Sequence, residues 1–242
     1  MARRLRLRDM IGILVAGFTI LFAILANGGS ATPSVEDYYN SLESRLGHWL
    51  LLGNGLVVEG VDLTARHVCE AQRTIRQNGL EGQVTVRLGD YHDLPSTQYR
   101  NGSFDGVYTM ETFVHADDPR KVLRNFHRLL RPGGVLVLHE ADVRWDSEGL
   151  NEVLWLSHCQ NTLKEGSYKQ LLHETGFGEI SLEDYSHNVL PLWRLFGVLR
   201  AIPYALLRLL GLQARFPNVM AGVETYRHWD QGRYVSVRAV KV

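Results

Sequence analysis

The chain has 242 residues, 45% of them hydrophobic, enough for one well-filled domain and an appendage. Lys+Arg and Asp+Glu balance at 26 each, so overall charge gives no argument for a nucleic-acid partner. The two cysteines, Cys69 and Cys159, form neither a short-spaced metal pair nor a disulfide framework, which makes a reducing compartment the default.

The first segment, MARRLRLRDM, is basic through Arg3, Arg4, Arg6 and Arg8. An uncharged apolar run, Met10 to Ala26, follows it. That length sits at the short limit for a transmembrane helix, so a membrane anchor is the leading reading, ahead of a cleaved signal or a buried segment. The arginines should stay cytoplasmic, which would carry the rest of the chain across the membrane. After the linker NGGSATP, Ser34 can cap a helix with Asp37 three residues on. Val35, Tyr38, Leu42, Leu46, Trp49 and Leu50 then recur at helical spacing and predict a core-packing face.

From Leu56 the rhythm changes to LVVEGVDL, a buried strand ending at Asp62. Thr64 to Asn78 predicts a helix closed by Gly79, and Gln83 to Leu88 a strand ending at Gly89-Asp90. Phe104 to Met110 predicts the next strand. Asp118 caps a helix with Pro119 at its first position, and Arg131-Pro132-Gly133-Gly134 stops it. Val135 to Leu138 predicts a strand finishing at His139-Glu140. Ser167 to Thr175 predicts a further helix, and YVSVRAVKV a final strand. Strands alternating with helices predict an α/β fold, a doubly wound and mainly parallel sheet covered on both faces.

The chain thus divides into a basic segment and anchor (1–30), an N-terminal helix (31–55), the α/β domain (56–188), and an amphipathic segment with a final strand (189–242). In the last part, Val189 to Leu212 holds Arg194, Arg200 and Arg208 within about a 120° arc. Pro191 and Pro203 should break it into pieces, which suits a membrane-surface element or a lid over an apolar substrate; the pattern leaves both open.

Open α/β sheets bind ligands beyond the carboxyl ends of their strands. That rule alone selects Asp62, Asp90, Met110-Glu111 and His139-Glu140. A carboxylate ending a strand, as Asp62 does, can accept from a ribose diol, although a single Asp in such a place more often serves a turn. Asp90 can accept from an exocyclic amine, and Tyr91 beside it could pack on a purine. His67, His92, His115 and His139 fall in different segments without ligand spacing, so no metal site is expected. His127 reads as a surface residue and Cys69 as packing. No G-x-S-x-G or phosphate-binding P-loop occurs, so hydrolase and NTPase readings lack support.

The segments GVDL, GDYHDLP, SFDGVYTMETFVHADDP and LRPGGVLVLHE resemble successive motifs of the class I S-adenosylmethionine (SAM) dependent methyltransferases. GVYTMETFVHADDP, with LRPGG and a strand ending in Glu, is similar to the sterol 24-C-methyltransferase-like branch. By this resemblance Asp62 would hold the SAM ribose, Asp90 and Tyr91 the adenine, with Leu63 and Met110 also on the cofactor. Glu111, His115 and Glu140 would line the methyl-transfer pocket, where carboxylates and aromatic faces can stabilise a carbocation. The implied partners are a sterol, lipid or other apolar small molecule and a membrane, such as the endoplasmic reticulum, reached by the single N-terminal anchor. The side on which the domain would lie stays open.

One departure stands out. The family's glycine-rich turn should follow a first strand and precede a helix of about a dozen residues. The only candidate here is Gly53-Asn54-Gly55, and the stretch from Gly55 to Asp62 is too short for a parallel crossover. The spacing therefore points to a missing first βα unit, about fifty residues by ordinary unit lengths. A catalytically inactive, membrane-tethered remnant or binding protein is the corresponding alternative to the enzyme. A dehydrogenase ranks third, since its G-x-G-x-x-G fingerprint is equally absent.

Overall fold

The computed structural model describes residues 57–143, 159 and 166–242. The N-terminal basic and apolar run, the helix expected after Ser34 and the Gly53-Asn54-Gly55 turn lie outside these residues. β1 (Val58–Asp62) pairs in parallel with β2 (Val84–Leu88), from Val58 opposite Val84 to Asp62 opposite Leu88. Helix α1 (Ala65–Gln77) makes the crossover and buries Val68 and Ile75 against Val84 and Val86. Gly79, at φ 65, ends it in the left-handed region that a residue without Cβ enters most easily.

A second sheet has the order β3–β4–β6–β5. β3 (Phe104–Met110) and β4 (Leu130–Val143) run parallel, joined by α2 (Pro119–Leu129). As the spacing predicted, the Asp118 side chain accepts from the Lys121 N–H at 2.9 Å and Pro119 takes the first helical position. Helix α3 (Ser167–Glu174) leads to β5 (Phe177–Asp184). Helices α4 (Ser186–Leu209) and α5 (Pro217–Arg227) then pack on each other before β6 (Gly232–Lys241) enters between β4 and β5, antiparallel to both. Leu136 and Leu138 of β4 and Val235 and Val237 of β6 alternate into one core with Val122, Leu123 and Phe126 of α2 and Leu171 and Leu172 of α3. Each such fully buried side chain contributes about 1.5–3 kcal/mol.

Several expectations are corrected. Among the described residues two strand pairings are parallel and two antiparallel, so the mainly parallel sheet holds only for β1–β2 and β3–β4. Helical crossovers impose parallel partners there, whereas β6 returns through the α4–α5 cap from the other direction. β4 begins at Leu130 rather than Val135: pairing runs from Phe104–Leu130 to Gly106–Val135 across an irregular Arg131–Gly134 stretch. Gly134 permits it, since a Cβ there would meet the Arg131 carbonyl at 2.8 Å. Pro191 and Pro203 do not break α4; the helix continues through both and bends by 52° between Ser186–Leu195 and Gly197–Leu209. His127 is not a surface residue but packs edge-on against Phe177 at 5.2 Å, and Cys69 is exposed. β1 and β3 each keep one edge without a partner strand among the described residues.

Candidate active site

The chain leaves β3 at Met110 and turns sharply. Glu111 takes the left-handed conformation, φ 51, while its N–H still donates to the His139 carbonyl at 2.9 Å. A non-glycine residue held there marks a backbone that its surroundings over-determine. The next residues form a single 3₁₀ turn, Phe113–His115, whose leading N–H groups have no partner within the turn. Glu140 of β4 supplies it. Its Oε1 accepts from the Phe113 N–H at 3.0 Å, the Thr112 N–H at 3.4 Å and the Thr109 hydroxyl at 3.1 Å, and its Oε2 from the Val114 N–H at 3.4 Å. The side chain is fully buried. Burial pushes its pKa up to about 8, opposed by the donors from Phe113 and Thr109, while Glu111 pushes it further up. Glu140 is thus the anchor of the loop that carries Glu111 and His115.

Glu111 faces differently. It keeps an exposed flank at the rim, yet the protein crowding its carboxyl raises its pKa, against a hydrogen bond from Tyr234 that lowers it. The Tyr234 phenol is in turn pushed up by burial and by the Glu111 carboxylate. Tyr234 is fixed at both backbone ends: its N–H donates to the Ser186 hydroxyl at 3.0 Å and its carbonyl accepts from Tyr185 at 2.7 Å. Beside them Tyr108 lies edge-on to His139 at 5.5 Å, and His139 stacks on Tyr185 at 6.4 Å. Burial lowers the His139 pKa, which favours the neutral ring. Tyr234 and Tyr108 thus stand beside the Glu111 carboxyl, and the His139 and Tyr185 rings continue from Tyr108.

His115 is buried, its Nδ1 3.5 Å from the sulfur of Cys159. Burial raises the Cys159 thiol to about 12, so it meets the ring as a neutral S–H. His115 therefore lies beneath the rim.

On the β1–β2 side, Asp62 serves its own turn: Oδ1 accepts from the Thr64 N–H at 2.7 Å, and Oδ2 lies 3.2 Å from His67 Nδ1. Leu63 is 52% exposed beside it. Asp90 accepts from the His92 N–H at 2.8 Å. Tyr91 is wedged against Phe126 and donates its hydroxyl to the Thr112 carbonyl at 3.0 Å. Asn125 of α2 holds this loop through the Tyr91 and His92 carbonyls, both at 3.0 Å. Each Asp is only partly exposed and each oxygen has spare lone pairs, which fits hydroxyls and amines of a nucleoside.

Asp90, Tyr91, Met110, Glu111, His115 and Glu140 thus gather along neighbouring strand ends, with Asp62 and Leu63 at the end of β1. Thr109, Tyr108, Tyr185 and Tyr234 were not singled out from the sequence. Tyr234 opens the alternating run YVSVRAVKV, a signal for a strand end but not for its partner.

The methyltransferase-domain family matches residues 46–138. The chain is 33% identical over 204 residues to the S-adenosyl-L-methionine-dependent Diels-Alderase iccD of Talaromyces variabilis, covering 79% of this chain and 69% of that protein. It is 32% identical over 143 residues to the O-methyltransferase resE of Aspergillus sclerotiorum, covering 57% of this chain but only 52% of that protein. In three dimensions it is similar to the [4+2]-cyclase SpnF, with a TM-score of 0.61 at 21% identity over 78% of this chain and 67% of that one. A geranyl diphosphate C-methyltransferase of Streptomyces coelicolor A3(2) gives 0.60 at 20% identity, over 78% and 63%. These structural likenesses carry the fold, and the sequence likenesses carry the rest: the chain belongs to the class I SAM-dependent methyltransferases, enzymes whose cofactor is SAM.

Proposed function

We propose that the chain is a SAM-dependent methyltransferase acting on an apolar small molecule, with sterols, lipids and apolar secondary metabolites as the substrate class. The observation that carries this is the rim over β3 and β4, one carboxylate set among Tyr108, His139, Tyr185 and Tyr234. Rings and a carboxylate favour an apolar substrate that becomes positive as it reacts. Asp62 would hold the ribose, Asp90 and Tyr91 the adenine side, with Leu63 and Met110 flanking them. When bound, SAM supplies an electrophilic methyl group. Glu111 takes the proton that the methylated substrate must lose, and the Tyr234 hydroxyl keeps that carboxylate oriented. Glu140 and His115 hold the loop. Residues 1–30 would anchor the enzyme to a membrane, where apolar substrates concentrate.

The likeness to a Diels-Alderase and a [4+2]-cyclase favours a second reading, in which the same rim binds a polyene and no methyl group moves. An inactive remnant is the third, motivated by the short stretch between Gly55 and Asp62 and the unpartnered edges of β1 and β3. Titration calorimetry of the full chain with SAM, followed by quantification of S-adenosylhomocysteine against apolar acceptors, separates them. SAM binding with S-adenosylhomocysteine formed in proportion to methylated product supports the methyltransferase. Binding with a cyclised product and no S-adenosylhomocysteine moves the chain to the cyclases. No SAM binding removes both.

A further inference from the structure

Helix α4 is apolar on two opposite sides. One side is in use: Tyr204 and Leu207 are buried against Met220 and Val223 of α5, and Gly197 lies so close to the Tyr226 ring that a Cβ would stand 2.6 Å from it. The opposite side is solvent-exposed. Val198 is 70% exposed, Leu199 56%, Ile202 74%, Leu206 46% and Leu209 81%. At 100° per residue these five fall within about a 100° arc, so they form one stripe rather than scattered surface residues. Leu195 and Leu210 extend it at either end, 52% and 64% exposed. A helix that is apolar all round belongs in a core or in lipid, and a contiguous exposed stripe marks an interaction surface.

We propose that this stripe of α4 is a docking surface for an anionic lipid bilayer, with the helix lying along the interface rather than crossing it. No single helix among the described residues is long and apolar enough to cross a membrane; the two halves of α4 reach that mark only together, across a 52° bend, and Arg194, Arg200 and Arg208 interrupt them, which favours a surface element. Charge decides the occupant. From residue 186 to 228 the chain carries Arg194, Arg200, Arg208, Arg215 and Arg227 against one acidic residue, Glu224. Glu224 is buried, accepts from the Tyr204 hydroxyl and pairs with Arg208 and Arg227 at 3.4 Å each. Arg208 and Arg227 are committed to Glu224 and Arg200 lies against Gly222, so the exposed positive charge near the stripe is that of Arg194 at one end and Arg215 beyond the other. Arginines on long stems can reach headgroup phosphates while the helix lies in the acyl boundary. A second copy on the same stripe would bring the like charges of Arg194 and Arg215 to a shared seam, which opposes that pairing. This proposal does not depend on the catalytic reading, because it concerns a different face of the cap.

The test places an environment-sensitive fluorophore at position 202 through Ile202→Cys in a Cys69→Ser background of the full chain, so that the readout is local to α4 and not to residues 1–30. Vesicles of phosphatidylcholine with phosphatidylglycerol should blue-shift the label. Pure phosphatidylcholine should shift it much less, and salt should weaken the response as screening sets in over about 8 Å. In the same background, Val198→Glu with Leu209→Glu should cut the label's response to the anionic vesicles roughly tenfold or more, whether or not residues 1–30 keep the chain on the vesicle. Both positions are exposed, and unchanged circular dichroism confirms that the fold is kept. A label already blue-shifted without lipid at low concentration means that another part of the chain covers the stripe, and it overturns the proposal. A shift that grows with protein concentration alone assigns the stripe to a second copy and overturns it too. Equal, salt-independent shifts on neutral and anionic vesicles also overturn it.

Discussion

The two rims of the candidate site are built on different principles. Over β3 and β4, a fully buried Glu140 accepts four hydrogen bonds and the loop above it is bound to that one side chain. Over β1 and β2, Asp62 and Asp90 are tied to residues near them in sequence, Asp62 to Thr64 and His67 and Asp90 to His92. The first arrangement is preorganised by long-range contacts and the second by local ones. Substitutions on the first rim should therefore register in stability before chemistry, and substitutions on the second in cofactor affinity with the fold nearly unchanged.

Glu140→Ala is the hardest test of this contrast. It strips the acceptor from three backbone N–H groups of a buried turn, at about 1–3 kcal/mol for each left unsatisfied. Urea denaturation should show a loss of about 3 kcal/mol or more; a loss under 1 kcal/mol would break the contrast. The pH dependence sharpens it. The folded pKa of Glu140 is about 8 against an ordinary 4.5, so its native state holds a proton that the unfolded chain releases. Stability from this group is complete below pH 4.5 and declines as pH rises to about 8. Glu140→Gln should flatten that decline when ΔG of unfolding is followed across the interval.

Tyr234→Phe addresses the chemistry above the anchor. Removing the phenol leaves Glu111 without the donor that lowers its pKa, so the carboxyl rises further and ionises at higher pH. If Glu111 is the base, kcat should fall about tenfold, a fraction of what a positioned base contributes, and the acid limb of the pH–rate profile should move upward. Calorimetry should find SAM affinity unchanged. An unmoved acid limb would take Glu111 out of the base role.

How much of this was legible without coordinates follows the same local and long-range divide. The strand Phe104–Met110 and the capped helix from Pro119 were readable because their signals, alternation and an Asp-Pro start, lie within a few residues. Asp62, Asp90 and Glu111 were readable as strand-end acids by a rule of sheet topology. β5 was hidden because Glu179 sits at φ 44 inside a bulge between Gly178 and Ser181, which disrupts the period of two. Tyr234 reaches Glu111 through an antiparallel register that sets Tyr234 opposite Ala141, and alternation in YVSVRAVKV carries no direction. Burial of His115 on Cys159, 44 residues apart in sequence, was equally out of reach.

Asp62→Ala is expected to have the smallest effect on the molecule and the clearest meaning for the second rim. The Asp62 carboxylate accepts one backbone N–H and faces His67, contacts that an aspartate at the end of a strand makes in its turn whether or not a ligand exists. Loss of those contacts alone should cost about 1 kcal/mol of stability. If the remaining lone pairs also hold a ribose diol, SAM affinity should fall about tenfold or more, because a charge-assisted pair of hydroxyl bonds is lost. Asp62→Asn separates the two roles. Asn still accepts from Thr64 through its carbonyl and so keeps the turn, but it lacks the charge and one acceptor oxygen. Asn with near-normal stability and weak SAM binding assigns Asp62 to the cofactor. Asn with near-normal stability and normal SAM binding confines Asp62 to its turn, and the cofactor's ribose must then be held elsewhere.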